Sequence, residues 1–188
     1  MGYINNHHTN RDFSRVDSRF RGQLGKEILD RWKITPNVVV CDIACGTHAH
    51  AITELVNIFP ELIGYGIDYD LQKISLNPKL RLIKSDIFEQ PLIAKVDVAY
   101  CAFIIDTESS QQIDNETRID LIYSIALSLK SRGIGYLDER LYSARPQTVK
   151  VLENMVDEKY TDFSAQYRLK NNPEIIGRGN FLKIYNCK

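Results

Sequence analysis

The sequence has no apolar run approaching the roughly 18 residues that a membrane span requires. It also has no Cys-x-x-Cys pair among its 4 cysteines and no excess of either charge, since 24 Lys plus Arg balance 24 Asp plus Glu. The first absence argues against insertion in a bilayer. The second leaves Cys41, Cys45, Cys101 and Cys187, which fall mostly within apolar runs where reduced cysteine behaves as a small hydrophobe, to be read as reduced and structural. The third argues against broad electrostatic capture of nucleic acid. Basic residues do gather at Arg11, Arg15, Arg19, Arg21 and Lys26, but Asp12, Asp17, Glu27 and Asp30 are interleaved with them, the pattern of a solvated mixed-charge face. The polar N-terminus lacks the apolar stretch of a secretory signal, so a cytoplasmic location is expected. His7, His8, His48 and His50 match no zinc spacing, and no metal is expected.

What is present is a regular alternation. At 188 residues the chain has the size of one domain, read as 1–188, with a polar arm and one helix in 1–36 (the helix at about 19–32) and the core in 37–188. Apolar runs rich in β-branched residues predict buried strands at 37–43, 62–67, 80–84, 96–105 and 133–138. Segments of helical period predict helices at 50–59, 71–76, 117–129 and 146–159. Gly133 is read as the residue that ends the third of these, because glycine accepts positive φ. Two final strands, 163–169 and 181–185, follow each other through the turn-rich Asn171-Asn172-Pro173 and Gly177-Arg178-Gly179 without a helix between them, so an antiparallel hairpin at the sheet's edge is expected. The fold class is α/β: three layers, Rossmann-like, with a seven-stranded, mostly parallel sheet.

In an open parallel sheet, ligands bind at the carboxyl ends of the strands near the point where strand order reverses. Asp42-Ile43-Ala44-Cys45-Gly46-Thr47-His48 follows the first strand and turns tightly into a helix, whose free N–H groups can receive a polar ligand edge. Gly66-Ile67-Asp68 ends the second strand, and a carboxylate there can accept from both vicinal hydroxyls of a ribose. Ser85-Asp86-Ile87 follows the third, where Asp86 can accept from an adenine amino group while a neighbouring N–H donates to a ring nitrogen. Asp42 has two readings, a buried acid that orders the turn or a direct ligand contact. Tyr100, Cys101 and Phe103 read as core and pocket wall. Asp106 and Glu108 read as a general base or as loop carboxylates.

With these motifs in order the chain resembles the class I S-adenosylmethionine-dependent methyltransferases. Val96 to Ile105 is similar to that family's fourth strand and acceptor-side segment, and Leu129-Lys130-Ser131-Arg132-Gly133 to the turn before its fifth strand. The resemblance covers 37–188. It implies S-adenosylmethionine as cofactor, held by Asp42, Ala44, Cys45, Gly46, Asp68, Tyr69, Asp86, Ile87 and Cys101, with Asp106 and His48 as candidate catalytic residues. Ala44 and His48 stand where the family usually has glycine; the added methyl of Ala44 is expected to cost little, and His48 to line the acceptor cavity or crowd the cofactor. The loop lacks the Gly-x-Gly-x-x-Gly of nicotinamide enzymes. The fourth-strand segment lacks the Asp/Asn-Pro-Pro-Tyr and Pro-Cys motifs of DNA base methylation.

The expected activity is methyl transfer to an oxygen or nitrogen of a small molecule or short peptide. The alternatives are a nucleic-acid or protein methyltransferase and a catalytically silent binding subunit. The arm, with Tyr3, Phe13 and Phe20 among charges, reads as a lid that brings Arg15 or Arg19 to the methionine carboxylate, or equally as a packed or frayed terminus.

Overall fold

A computed structural model describes residues 37–87, 95–101, 115–138, 146–163, 167–176 and 179–188. Its strands are β1 (Val39–Ile43), β2 (Ile63–Asp68), β3 (Leu80–Lys84), β4 (Val96–Cys101), β5 (Leu129–Asp138), β6 (Tyr167–Ile176) and β7 (Gly179–Asn186). Its helices are α1 (His50–Ile58), α2 (Asn115–Ser128) and α3 (Pro146–Lys159). The expected arm and its helix, and with them Asp106 and Glu108, lie outside the described residues.

The strands form one seven-stranded sheet in the order β3-β2-β1-β4-β5-β7-β6. The first five pair in parallel, and β7 runs antiparallel between β5 and β6. This is the expected mixed α/β sheet with a C-terminal hairpin. Successive side chains on a strand point to opposite faces, which divides β1 cleanly. Val38 and Val40 pack with Ile52, Leu55 and Val56 of α1. Cys41 and Ile43, on the other face, belong to the buried cluster that also holds Ile122 and Ile125 of α2 and Leu152 and Val156 of α3. Strand order reverses at β1, which has β2 on one side and β4 on the other, so the crevice at the tips of β1 and β4 is the geometrically favoured ligand site.

Three sequence expectations are corrected. No helix forms over 71–76; the crossover from Asp68 to Leu80 is irregular throughout. It must travel back along a strand about 20 Å long, whereas a six-residue helix rises only about 9 Å, so the short connection has to stay extended.

The second correction concerns the end of α2. The helix stops at Ser128, and β5 has already begun at Leu129, which pairs with Val96 before the register jumps to Val98↔Ile134. The positive φ in this excursion is at Arg132 (63°) and not at Gly133. Gly133 is required for a different reason: a Cβ there would lie 2.8 Å from the Lys130 carbonyl oxygen. The excursion is held by Lys130 Nζ on Asp97 (2.7 Å) and by the Arg132 N–H donating to the Lys188 carbonyl (3.1 Å).

The third concerns the hairpin. β6 begins at Tyr167 and runs straight through Asn171-Asn172-Pro173, which had read as a turn. The register shift between Asn172 and Ile176 absorbs the proline, and β6 is an edge strand of the sheet, where a missing N–H is tolerated.

Candidate functional site

The candidate site residues converge because the parallel register aligns the strand tips. Ile43 pairs with both Ile67 and Cys101, and Asp68 with Lys84, so the loops after β1, β2 and β3 leave the sheet side by side. The β1 loop carries Asp42 at its base, then Ala44, Cys45, Gly46 and His48. The β2 tip carries Asp68 and Tyr69, and Asp86 and Ile87 follow β3.

Asp68 organises this end of the sheet. Its Oδ2 accepts from the Gly46 N–H and its Oδ1 from the Asp70 N–H, both at 2.9 Å. A carboxylate offers about four acceptor positions, so two remain for a ligand's hydroxyls. Further bonds tie the loops together. The Cys45 N–H donates to the Ile67 carbonyl (3.1 Å), the Gln72 N–H to the Thr47 carbonyl (3.0 Å), the Ser85 N–H to the Asp68 carbonyl (3.1 Å), and Thr47 Oγ1 to Asp70 Oδ2 (3.3 Å). Thr47, Asp70 and Gln72 were missed from sequence; the available signal was the Asp68-Tyr69-Asp70 pair of carboxylates at a strand tip.

The β1 loop is built on left-handed residues: Ala44 (φ 57°), Gly46 (φ 75°) and Ala49 (φ 46°), the last being the N-cap of α1. His48 is not among them. The backbone therefore demands nothing special at His48 and does strain Ala44, the reverse of what side-chain size suggested. Its ring is exposed and meets His50 edge-on, with centroids 5.5 Å apart. At Ala44 the left-handed conformation costs about 1–2 kcal/mol, while a glycine there would lose an extra ~0.4–1 kcal/mol of unfolded-state entropy. Ala44→Gly is expected to stabilise the fold by roughly 0.5–1 kcal/mol, seen as a higher urea midpoint with an unchanged slope. A lower midpoint would show that the strain is absent.

Among the described residues a Cβ placed on Gly46 would meet nothing within 4 Å, so they leave the space in front of the loop open. The first turn of α1 contains no acidic residue and Ala49 gives no side-chain cap, which leaves the helix's leading N–H groups directed at this loop. Asp42 is 3% exposed. Cys101 is buried with Ile43 in the core beneath the tips, and Ile87 packs against the same core.

The site is electrostatically negative. The Tyr69 hydroxyl titrates above its ordinary 10.0 through partial desolvation and then through the carboxylates of Asp68, Asp70 and Asp86. No Lys or Arg occurs between Asp42 and Gln72. Cys45 is held far above its ordinary 9.0 by burial, then by Asp42 and Asp68; Cys41 is raised similarly by burial, then by Asp42. Both thiols ionise on unfolding at high pH but stay protonated in the folded chain, so the unfolded state binds fewer protons there. Their contribution is complete below about pH 9 and is lost as pH rises beyond it. Stability should fall by roughly 2 kcal/mol per pH unit between about pH 9 and 10.5. The Cys41→Ala, Cys45→Ala double variant should show a flatter profile in chemical denaturation; an equally steep fall in that variant would assign the loss to other groups.

No protein-family profile matches the chain, and no curated protein matches it. Solved structures do. A protein from Listeria monocytogenes assigned to the class I S-adenosylmethionine-dependent methyltransferases superposes with a TM-score of 0.63 at 16% identity, over 96% of this chain and 64% of that one. The plantazolicin methyltransferase BpumL, solved in complex with SAH, gives 0.60 at 14% identity over 95% and 87%. A protein from Methanococcus maripaludis, assigned as an S-adenosyl-L-methionine-dependent methyltransferase, gives 0.55 at 13% over 100% and 98%. The chain spans 64% of the Listeria protein's length and 58% of two other solved methyltransferase chains. It has the fold of the class I S-adenosylmethionine-dependent methyltransferases.

Proposed function

We propose that the chain binds S-adenosylmethionine across the tips of β1, β2 and β3 and transfers its methyl group to an oxygen or nitrogen nucleophile of a small molecule or short peptide. The observation that carries this reading is Asp68, fixed at the β2 tip by two backbone N–H groups with acceptor capacity left over, beside open space at Gly46. That pair suits the two hydroxyls of a ribose.

Asp68 would hold the ribose, Asp86 with the Ile87 N–H the adenine edge, and the 44–49 loop the amino-acid part, with Asp42 beneath it. When bound, the cofactor supplies a methyl group on a sulfonium, an electrophile that needs no further activation. The chain's residues then have only to orient and to exclude water. The four carboxylates Asp42, Asp68, Asp70 and Asp86 also select. They favour a cationic sulfonium and ammonium and oppose the pyrophosphate of a nicotinamide dinucleotide. The choice of a discrete acceptor draws support from BpumL, named as a plantazolicin methyltransferase, whose fold covers 95% of this chain.

A silent binding subunit is the second reading, favoured by the two glycine positions filled by Ala44 and His48. Thermal shift tests the cofactor assignment. S-adenosylmethionine and S-adenosylhomocysteine (SAH) should raise the melting temperature and NAD should not; a shift with NAD alone overturns the assignment. Ligand binding without turnover on any offered acceptor would support the silent subunit.

A further inference from the structure

The overall charge balance hides a local excess. From Leu71 to Lys84 the sequence LQKISLNPKLRLIK contains Lys73, Lys79, Arg81 and Lys84 and no acidic residue. This is the irregular crossover together with β3, the strand at one end of the sheet. Ile74 is 85% exposed, Leu76 97% and Ile83 40%. Ile74 and Leu76 stand almost wholly in water beside these cations, with Ile83 partly exposed on the adjoining strand, and contiguous exposed apolar surface rimmed by polar groups is what marks an interaction site.

The backbone of β3 adds a directional feature. The Lys79 carbonyl accepts from Gly64 and the Ser85 N–H donates to Asp68, so the odd-numbered residues bond toward β2. Alternation along the strand then turns the N–H and C=O of Leu82 and Lys84 toward the side on which no strand pairs with β3 among the described residues. Three of the cations donate to neutral acceptors: Lys73 to Thr53 Oγ1 (3.0 Å), Lys79 to the Pro60 carbonyl (2.7 Å) and Arg81 to the Tyr65 hydroxyl (3.4 Å). Those contacts fix the side chains without cancelling their charge.

A second copy pairing edge to edge here would bring like charges together, which is how natural edge strands resist self-association. The same charges attract an acidic strand. We propose that the β3 edge is a docking site for an extended acidic peptide segment of a partner, added to the sheet beside β3. Alternation puts Arg81 and Ile83 on one face of β3 and Leu82 and Lys84 on the other. The segment's acidic residues therefore meet Arg81 and Lys84 from opposite faces, the apolar residues between them lie beside Leu82 and Ile83, and a flanking apolar residue covers the Ile74–Leu76 stretch. Strand addition of this kind draws affinity from main-chain hydrogen bonds and specificity from alternate side chains. The proposal is independent of what the strand tips bind.

The probe is a short capped peptide of the repeat Glu-Val-Val-Glu, which places glutamates three positions apart on opposite faces as Arg81 and Lys84 require, with Lys-Val-Val-Lys as control, titrated into the isotope-labelled full chain. The glutamate peptide should slow amide exchange at Leu82 and Lys84, and its affinity should fall as salt is raised. The Arg81→Glu, Lys84→Glu variant should bind it at least tenfold more weakly and gain affinity for the lysine peptide. Leu76→Ser should weaken binding severalfold. All three positions are solvent-facing or only partly covered, and unchanged circular dichroism verifies the fold. Equal binding of both peptides, no protection at Leu82 and Lys84, or sedimentation as a dimer without peptide would each overturn the proposal. So would tighter binding to phosphatidylglycerol vesicles or single-stranded RNA than to the glutamate peptide.

Discussion

Asp68→Ala is expected to reduce SAH affinity by at least a hundredfold and to loosen the loops at the strand tips. The carboxylate receives the Gly46 and Asp70 N–H groups, each at 2.9 Å. Hydrogen bonds to a charged group contribute ~1.5–3 kcal/mol each, so the ligand loses its hydroxyl acceptor and the β1 loop its anchor in one substitution. The two losses separate experimentally. Asp68→Asn keeps one carbonyl acceptor and an isosteric shape, so it should retain most of the stability and lose about tenfold in affinity. Isothermal titration alongside urea denaturation reads both. Unchanged SAH binding in the alanine variant would remove Asp68 from the site.

The second large effect lies away from the site. Gly135 of β5 sits where a Cβ would lie 2.5 Å from Ile125 Cγ2 of α2 and 3.3 Å from Ile184 Cβ of β7. Both neighbours are fully buried, so neither can yield by swinging into solvent. Gly135→Ala is expected to cost about 2–3 kcal/mol, at the upper end of overpacking penalties, and Gly135→Val to prevent accumulation of folded protein. A cycle with Ile125→Ala checks the cause, because truncating the clashing side chain should make the double variant more stable than the sum of the single losses. Strict additivity would show that the glycine is needed for something other than the approach of α2.

Much of this architecture was legible in the sequence where one signal dominated. β3 and α3 fall where the pattern put them, because an apolar run flanked by turns and a proline-initiated periodic segment have few alternative readings. The misreadings have physical sources. The 71–76 stretch has helical spacing, but the distance its crossover must span forbids a helix, and spacing carries no information about span. Asn171-Asn172-Pro173 has turn composition, but an edge strand with a register shift accommodates it, and edge position is a property of the assembled sheet. At the site, the order of Gly46, Asp68 and Asp86 pointed to the strand tips. The strain at Ala44 and the second tie through Thr47 and Asp70 depend on backbone angles and loop proximity that residue types do not encode.

Calorimetric titration of SAH into the native chain and into Gly46→Val tests the central claim most directly. Among the described residues nothing lies within 4 Å of a Cβ at Gly46, so the added side chain would enter the space that the proposed cofactor occupies. Valine at φ 75° also strains the loop, and urea denaturation of the same variant measures that cost separately. The account predicts saturable binding of SAH to the native chain at a single site, no measurable binding of NAD, and loss of SAH binding in a Gly46→Val variant that still unfolds cooperatively. Absence of SAH binding to the native chain, or undiminished binding in the folded variant, would contradict it.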